Sequence, residues 1–108
     1  MKSLLTIVLF IFVTSATATE QISERLITKI SVYESYAVAA LSSPGENIDG
    51  CTLESAQFVK IETTSDSGKE MYAAVLAARV SKQPVGFGVT GCSSWGTKTI
   101  PLVYRVDF

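Results

Sequence analysis

Hydrophobic and polar positions alternate along most of this chain, and the main departure from that period of two is one helical stretch. In residues 25–32, Leu26, Thr28, Ile30 and Val32 fall on one side and Ile27, Lys29 and Ser31 on the other. That pattern predicts a strand with one strongly apolar face. The alternation resumes over 33–41, where Tyr36, Val38 and Ala40 oppose Ala37, Ala39 and Leu41. Glu34-Ser35 between the two reads as a turn or bulge, so two strands or one long bent strand both fit. Residues 19–23 read as a short leader. Pro44-Gly45, extended by Asn47, Asp49 and Gly50, predicts a loop over 42–50. The next strand covers 56–63, with Phe58, Lys60 and Glu62 against Val59, Ile61 and Thr63.

The period then changes. Residues 69–82 are rich in Ala, Leu and Met, which lose little side-chain entropy in a helix. Ser67 and Glu70 have the spacing of a capping box. Asp66 at the start and Arg79 and Lys82 near the end suit the helix dipole. Met71, Val75 and Ala78 form one stripe and Tyr72, Leu76 and Val80 an adjacent one, together a broad apolar face. Pro84 disfavours helical geometry at Gln83 and ends the element. Period two returns with Val85, Phe87 and Val89 against Gly86, Gly88 and Thr90. The bare glycine face fits either tight packing under the helix or a ligand groove. Residues 91–99, GCSSWGTKT, read as a loop or a wide hairpin connection. The last strand covers 100–108, with Pro101 at its start, where a missing amide is tolerated.

The resulting β-β-β-α-β-β order predicts a mainly β fold with one helix, an OB-fold-like small barrel with the helix plugging one end. The alternative is an open α+β sheet with one helix packed across it.

Composition adds the compartment. Lys2, the apolar run 4–13 and the small-x-small triplet Ala16-Thr17-Ala18 make residues 1–18 a signal peptide, with cleavage after Ala18. The run is shorter than the ~20 residues a bilayer span needs, so no stable membrane span is expected once the signal is removed. Residues 19–108 then form a single small domain, secreted or periplasmic. Its two cysteines, Cys51 and Cys92, are expected to pair as a disulfide. Nine Lys+Arg against ten Asp+Glu give the chain a net charge of −1, with no block of like charge. Nucleic acid and anionic membranes are therefore not expected partners.

The chain has no histidine, which removes Ser-His and Cys-His pairs and the commonest metal ligand. Two distant cysteines do not make a zinc site. Glu46, Asp49 and Glu54 around Cys51 lack the spacing of a calcium loop and read as a solvated acidic loop. Ser93, Ser94 and Lys98 share one segment, but a wet lysine between two threonines is a poor base. GFGVTG is a strand with glycines, not a dinucleotide fingerprint opening a helix. We therefore expect no enzyme, no cofactor and no metal. Ser93-Ser94-Trp95-Gly96 with Lys98 remains as a ligand-binding candidate. An indole face beside hydroxyls and amides suits a sugar ring. The competing structural role for Trp95 is to cap the barrel mouth or pack on the disulfide.

The segments GKEMYAAVLAAR, VGFGVTGC and IPLVYRVDF resemble small secreted bacterial proteins of uncharacterised role. Those in turn are similar in element order to the B subunits of cholera- and pertussis-type toxins. The resemblance implies a ring-forming, glycan-binding barrel. The expected function is a secreted binding module for carbohydrate or a protein surface. The alternative is a structural or assembly subunit forming homo-oligomers, with the strand of Phe58 or residues 102–106 pairing across subunits.

Overall fold

Burial of one face per strand organises the molecule. A computed structural model describes residues 19–45, 50–53 and 57–108. The proposed signal segment and the acidic residues Glu46, Asp49 and Glu54 lie outside the described residues. The elements are β1 (Thr19–Arg25), β2 (Ile27–Val32), β3 (Tyr36–Leu41), β4 (Phe58–Glu62), α1 (Asp66–Ser81), β5 (Val85–Trp95) and β6 (Lys98–Asp107). The six strands form one sheet in the order β1-β5-β6-β4-β3-β2. Neighbours are antiparallel except β4 and β6, which run parallel.

The class is mainly β with one helix, and the sheet is open, as in the second of the two expected architectures. Its edges are β1 and β2, which are consecutive in the chain and separated by Leu26 alone. One chain segment, bent at that residue, thus supplies both edges. Residues 19–23 are not a leader: they belong to β1, with Thr19 opposite Thr90 and Ile22 opposite Phe87. Four strands, not three, precede the helix.

The alternating positions place Ile22, Ile27, Ala39, Leu41, Val59, Ile61, Val85, Phe87, Val89 and Val103 in a single core. Helix α1 adds Val75 and Ala78 and contacts β2, β4 and β6. The broad apolar helix face is narrower than expected. Met71 and Tyr72 pack against the core, whereas Leu76 is partly exposed and Val80 is 82% exposed. The sheet beneath α1 accommodates little more than one stripe of side chains, so of the second stripe only Tyr72 reaches the core while Leu76 and Val80 turn outward.

The glycine face of β5 is closed by packing. Gly86 and Gly88 are buried. A Cβ on Gly88 would lie 2.9 Å from the Tyr104 ring, and one on Gly86 3.0 Å from the Ile22 carbonyl oxygen. The cover is therefore β1 and Tyr104, not the helix. Arg105, beside Tyr104, pairs with Asp107 at 2.9 Å, and that hydrogen bond is the main reason its pKa is raised.

The helix begins two residues before the expected box. Ser65 is the N-cap, its Oγ accepting from the Gly68 N–H at 3.0 Å. Ser67 instead lies inside the first turn. Ser65→Ala is expected to cost about 1 kcal/mol, lowering the melting temperature by about 5 °C, with Ser67→Ala close to neutral. Thermal denaturation followed by circular dichroism separates the two, and a larger loss for Ser67→Ala would refute the assignment. The helix ends at Lys82, whose N–H still donates to Ala78 O and whose left-handed backbone (φ 57°) brings the Gln83 N–H to the same oxygen at 3.0 Å.

Two further findings concern the strands. Of the loop or wide hairpin connection expected over residues 91–99, the structure has a hairpin, and a tight one. Strand β5 runs on to Trp95, opposite Lys98, and the connection is the two-residue turn Gly96-Thr97. Gly96 has φ +64°, the geometry a glycine supplies at the first central position of a tight hairpin turn. The strands of Phe58 and of residues 102–106 are interior, so the edges open to pairing belong to β1 and β2.

Candidate functional site

Strands β3 and β4 each turn one face to the core and the other outward. On β4, Val59 and Ile61 are fully buried in the core, so Phe58, Lys60 and Glu62 share the opposite face. Register places Tyr36 opposite Glu62, Val38 opposite Lys60 and Ala40 opposite Phe58. The long β5–β6 hairpin brings Ser93, Ser94 and Trp95 to the same region, where Lys60 lies only 8% exposed.

Lys60 is the hub. Its Nζ donates to Ser93 Oγ at 3.0 Å and to the Ser94 carbonyl oxygen at 2.9 Å. The same ammonium sits 4.2 Å from the centroid of the Tyr36 ring. An ammonium has three donors and needs partners for them when it leaves water. Here a hydroxyl, a carbonyl and a π face serve it.

The rings around Lys60 are tied to one another. Tyr33 stacks on Tyr36, with centroids 4.6 Å apart and planes 17° from parallel. Trp95 donates from Nε1 to the Tyr33 hydroxyl at 3.2 Å, and packs tilted against Phe58 at 5.0 Å. Contacts thus run from Trp95 through Tyr33 and Tyr36 to Lys60 and back to the hairpin that carries Trp95. Tyr33 is 42% exposed, and Trp95 and Phe58 are partly exposed. The result is a partly solvent-facing aromatic patch with its rings held in place.

The four residues singled out from the sequence have different places. Ser93 receives the Lys60 hydrogen bond through its side chain, and Ser94 through its backbone, leaving the Ser94 side chain exposed. Trp95 is within the patch. Lys98 is exposed, across the ladder from Trp95. Trp95 packs on Phe58 and bonds Tyr33, a third arrangement beside the two structural roles expected for it. Tyr33, Tyr36, Phe58 and Lys60 were not singled out. The available signals were two tyrosines flanking a turn and one lysine amid an apolar strand, each unremarkable alone.

A serine–lysine contact does exist, but it joins Ser93 to Lys60 rather than to Lys98. Lys60 is the hydrogen-bond donor in it, with its other donors directed at Ser94 and Tyr36. Among the described residues no three His, Cys, Asp or Glu side chains are grouped so as to hold a metal ion. The two cysteines form the expected Cys51–Cys92 disulfide. Among the described residues no helix is long and apolar enough to cross a membrane.

No protein-family model matches this chain, and neither does any curated protein sequence or solved structure.

Proposed function

We propose that this protein is an exported, non-enzymatic binding module whose ligand is carbohydrate, held on the Tyr33–Trp95 patch. The observation that carries the proposal is the fixing of the rings before any ligand arrives. The Trp95–Tyr33 hydrogen bond, the Tyr33–Tyr36 stack and the Lys60 hub hold them. Preorganised rings lose little freedom on binding, and the apolar face of a pyranose offers them a flat surface to cover. The exposed Ser94 side chain and Lys98 lie on the same hairpin and supply polar groups for ring hydroxyls.

Export is part of the proposal. The signal-like residues 1–18 and the disulfide both suit an oxidising compartment. We read the sheet, its two edges joined through Leu26, as an OB-like barrel opened along one strand. The likeness to toxin B subunits points to the same ligand class.

The test is a glycan-array screen of the oxidised protein, followed by calorimetric titration of the best glycan. We expect saturable binding that falls at least about tenfold in Trp95→Ala, about 1.4 kcal/mol. Lys98→Ala, at the rim, should lose less. An array on which the folded protein binds nothing, or unchanged affinity in Trp95→Ala, would overturn the proposal.

A further inference from the structure

A second concavity lies where the end of α1 meets the bend between β1 and β2. It has a volume of about 270 Å³ and is lined by Leu26, Ile27, Thr28, Arg79 and Lys82. It shares no residue with the aromatic patch.

Helical spacing explains why it is there. Val75 and Ala78 point into the core. Arg79 lies four positions after Val75 in the last turn, and Lys82 is the left-handed residue at which the helix ends. Both are exposed, so the end of α1 turns from apolar to basic beside the exposed Leu26 and the buried Ile27. Two long cationic side chains overhang an apolar floor that no side chain of the helix fills.

These cations are not needed to close the helix. Ser81 Oγ donates to Ala77 O at 2.8 Å, and the Gln83 N–H donates to Ala78 O at 3.0 Å. Among the described residues neither the Arg79 nor the Lys82 side chain has an ion-pair or hydrogen-bond partner, and no acidic residue lines the cleft. An apolar floor under two unneutralised cations complements one kind of small molecule, an aliphatic chain ending in a single anionic group.

We infer that this cleft is a binding site for a free aliphatic carboxylate. The chain would lie on Leu26 and Ile27, and the carboxylate would accept hydrogen bonds from Arg79 and Lys82. A guanidinium can grip both carboxylate oxygens at once, and an ammonium adds a point charge.

Calorimetric titration of the full oxidised chain with hexanoate, octanoate and decanoate, each below its micelle-forming concentration, tests this. Saturable one-to-one binding is expected, strengthening up to about fourfold per added methylene. Arg79→Gln with Lys82→Gln should lower decanoate affinity at least tenfold while lowering the melting temperature by only about 5 °C, the loss of two charges at the helix end. Leu26→Asp should abolish binding, and decyltrimethylammonium, with the same chain and opposite charge, should bind at least tenfold more weakly than decanoate. The site assignment falls if folded protein does not bind decanoate saturably. It also falls if the double glutamine variant binds as well as the parent, or if the cationic and anionic amphiphiles bind alike. A dimer in sedimentation velocity that Leu26→Asp dissociates would place a second copy in the cleft and overturn it too.

Discussion

Gly68→Ala is expected to destabilise this protein by about 2 kcal/mol or more, although helix propensity alone predicts the opposite. Alanine is favoured over glycine inside a helix by about 1 kcal/mol. Gly68, however, is buried in the first turn of α1, packed against the end of β4. A methyl group there would overlap the backbone carbonyl oxygen of Glu62, the last residue of β4. Backbone cannot swing aside as a surface side chain can, so either the helix start or the strand end must move. Overpacking of this kind costs about 1–3 kcal/mol, and here displacement of the carbonyl also disturbs the turn leading to the Ser65 cap. Thermal denaturation of Gly68→Ala should show a fall of roughly 10 °C. Ala77→Gly, on the exposed side of the same helix, serves as a propensity control at about 1 kcal/mol. A Gly68→Ala protein as stable as the parent would mean that α1 does not seat on β4 in this way.

Removal of the disulfide is expected to have the largest effect of all. Cys51 and Cys92 are 41 residues apart in sequence and join the chain before β4 to the middle of β5. In the chain-entropy model, closing a loop of that length contributes about 4 kcal/mol, chiefly by restricting the unfolded chain. For a domain of this size that corresponds to a loss of about 20 °C in the Cys51→Ala/Cys92→Ala variant. Local hydrogen bonds offset part of the loss. Thr52 N–H donates to Thr99 Oγ1, Thr99 N–H to Thr52 Oγ1, and Leu53 N–H to Thr99 O. Differential scanning calorimetry of the oxidised parent and the double variant measures the difference. A shift under about 5 °C would show that these hydrogen bonds and the core hold the segment without the covalent link. The same variant bears on function, because Ser93, Ser94 and Trp95 directly follow Cys92 on the strand the disulfide ties down.

Much of the fold is legible in the local pattern. Alternation located β2, β3, β4 and the first half of β5, and the Ala-rich run with Pro84 behind it located α1. β1 escaped notice because TEQISER carries one large apolar residue, Ile22, and a single apolar position makes no period. The outer half of the β5–β6 hairpin escaped for a related reason. GCSSWGTKT is polar because both its strands leave the core, so their pairing leaves no hydrophobic trace. The capping box was misplaced by two residues because Glu70 gives Ser67 the box spacing, whereas Ser65, with Gly68 at that position, caps the Gly68 N–H through its hydroxyl alone.

The candidate site divides in the same way. Trp95 stood out as the lone indole between glycines and serines, and Cys51 and Cys92 as the only cysteines. Lys60, Tyr33, Tyr36 and Phe58 did not, because their relation to Trp95 arises between strands. Likewise Arg79 and Lys82 read as ordinary dipole-complementing residues until the Leu26 bend is placed beneath them. Side-chain periodicity and residue type were enough to mark most of the strands, the helix, the core-facing side of each marked strand and the two cysteines that cross-link. That the Leu26 bend sends β1 and β2 to opposite edges of the sheet, that Lys60 lies under the hairpin and that α1 ends over a cleft emerge only when the strands are assembled. Those outcomes depend on register and strand order between residues tens of positions apart, which no local period encodes.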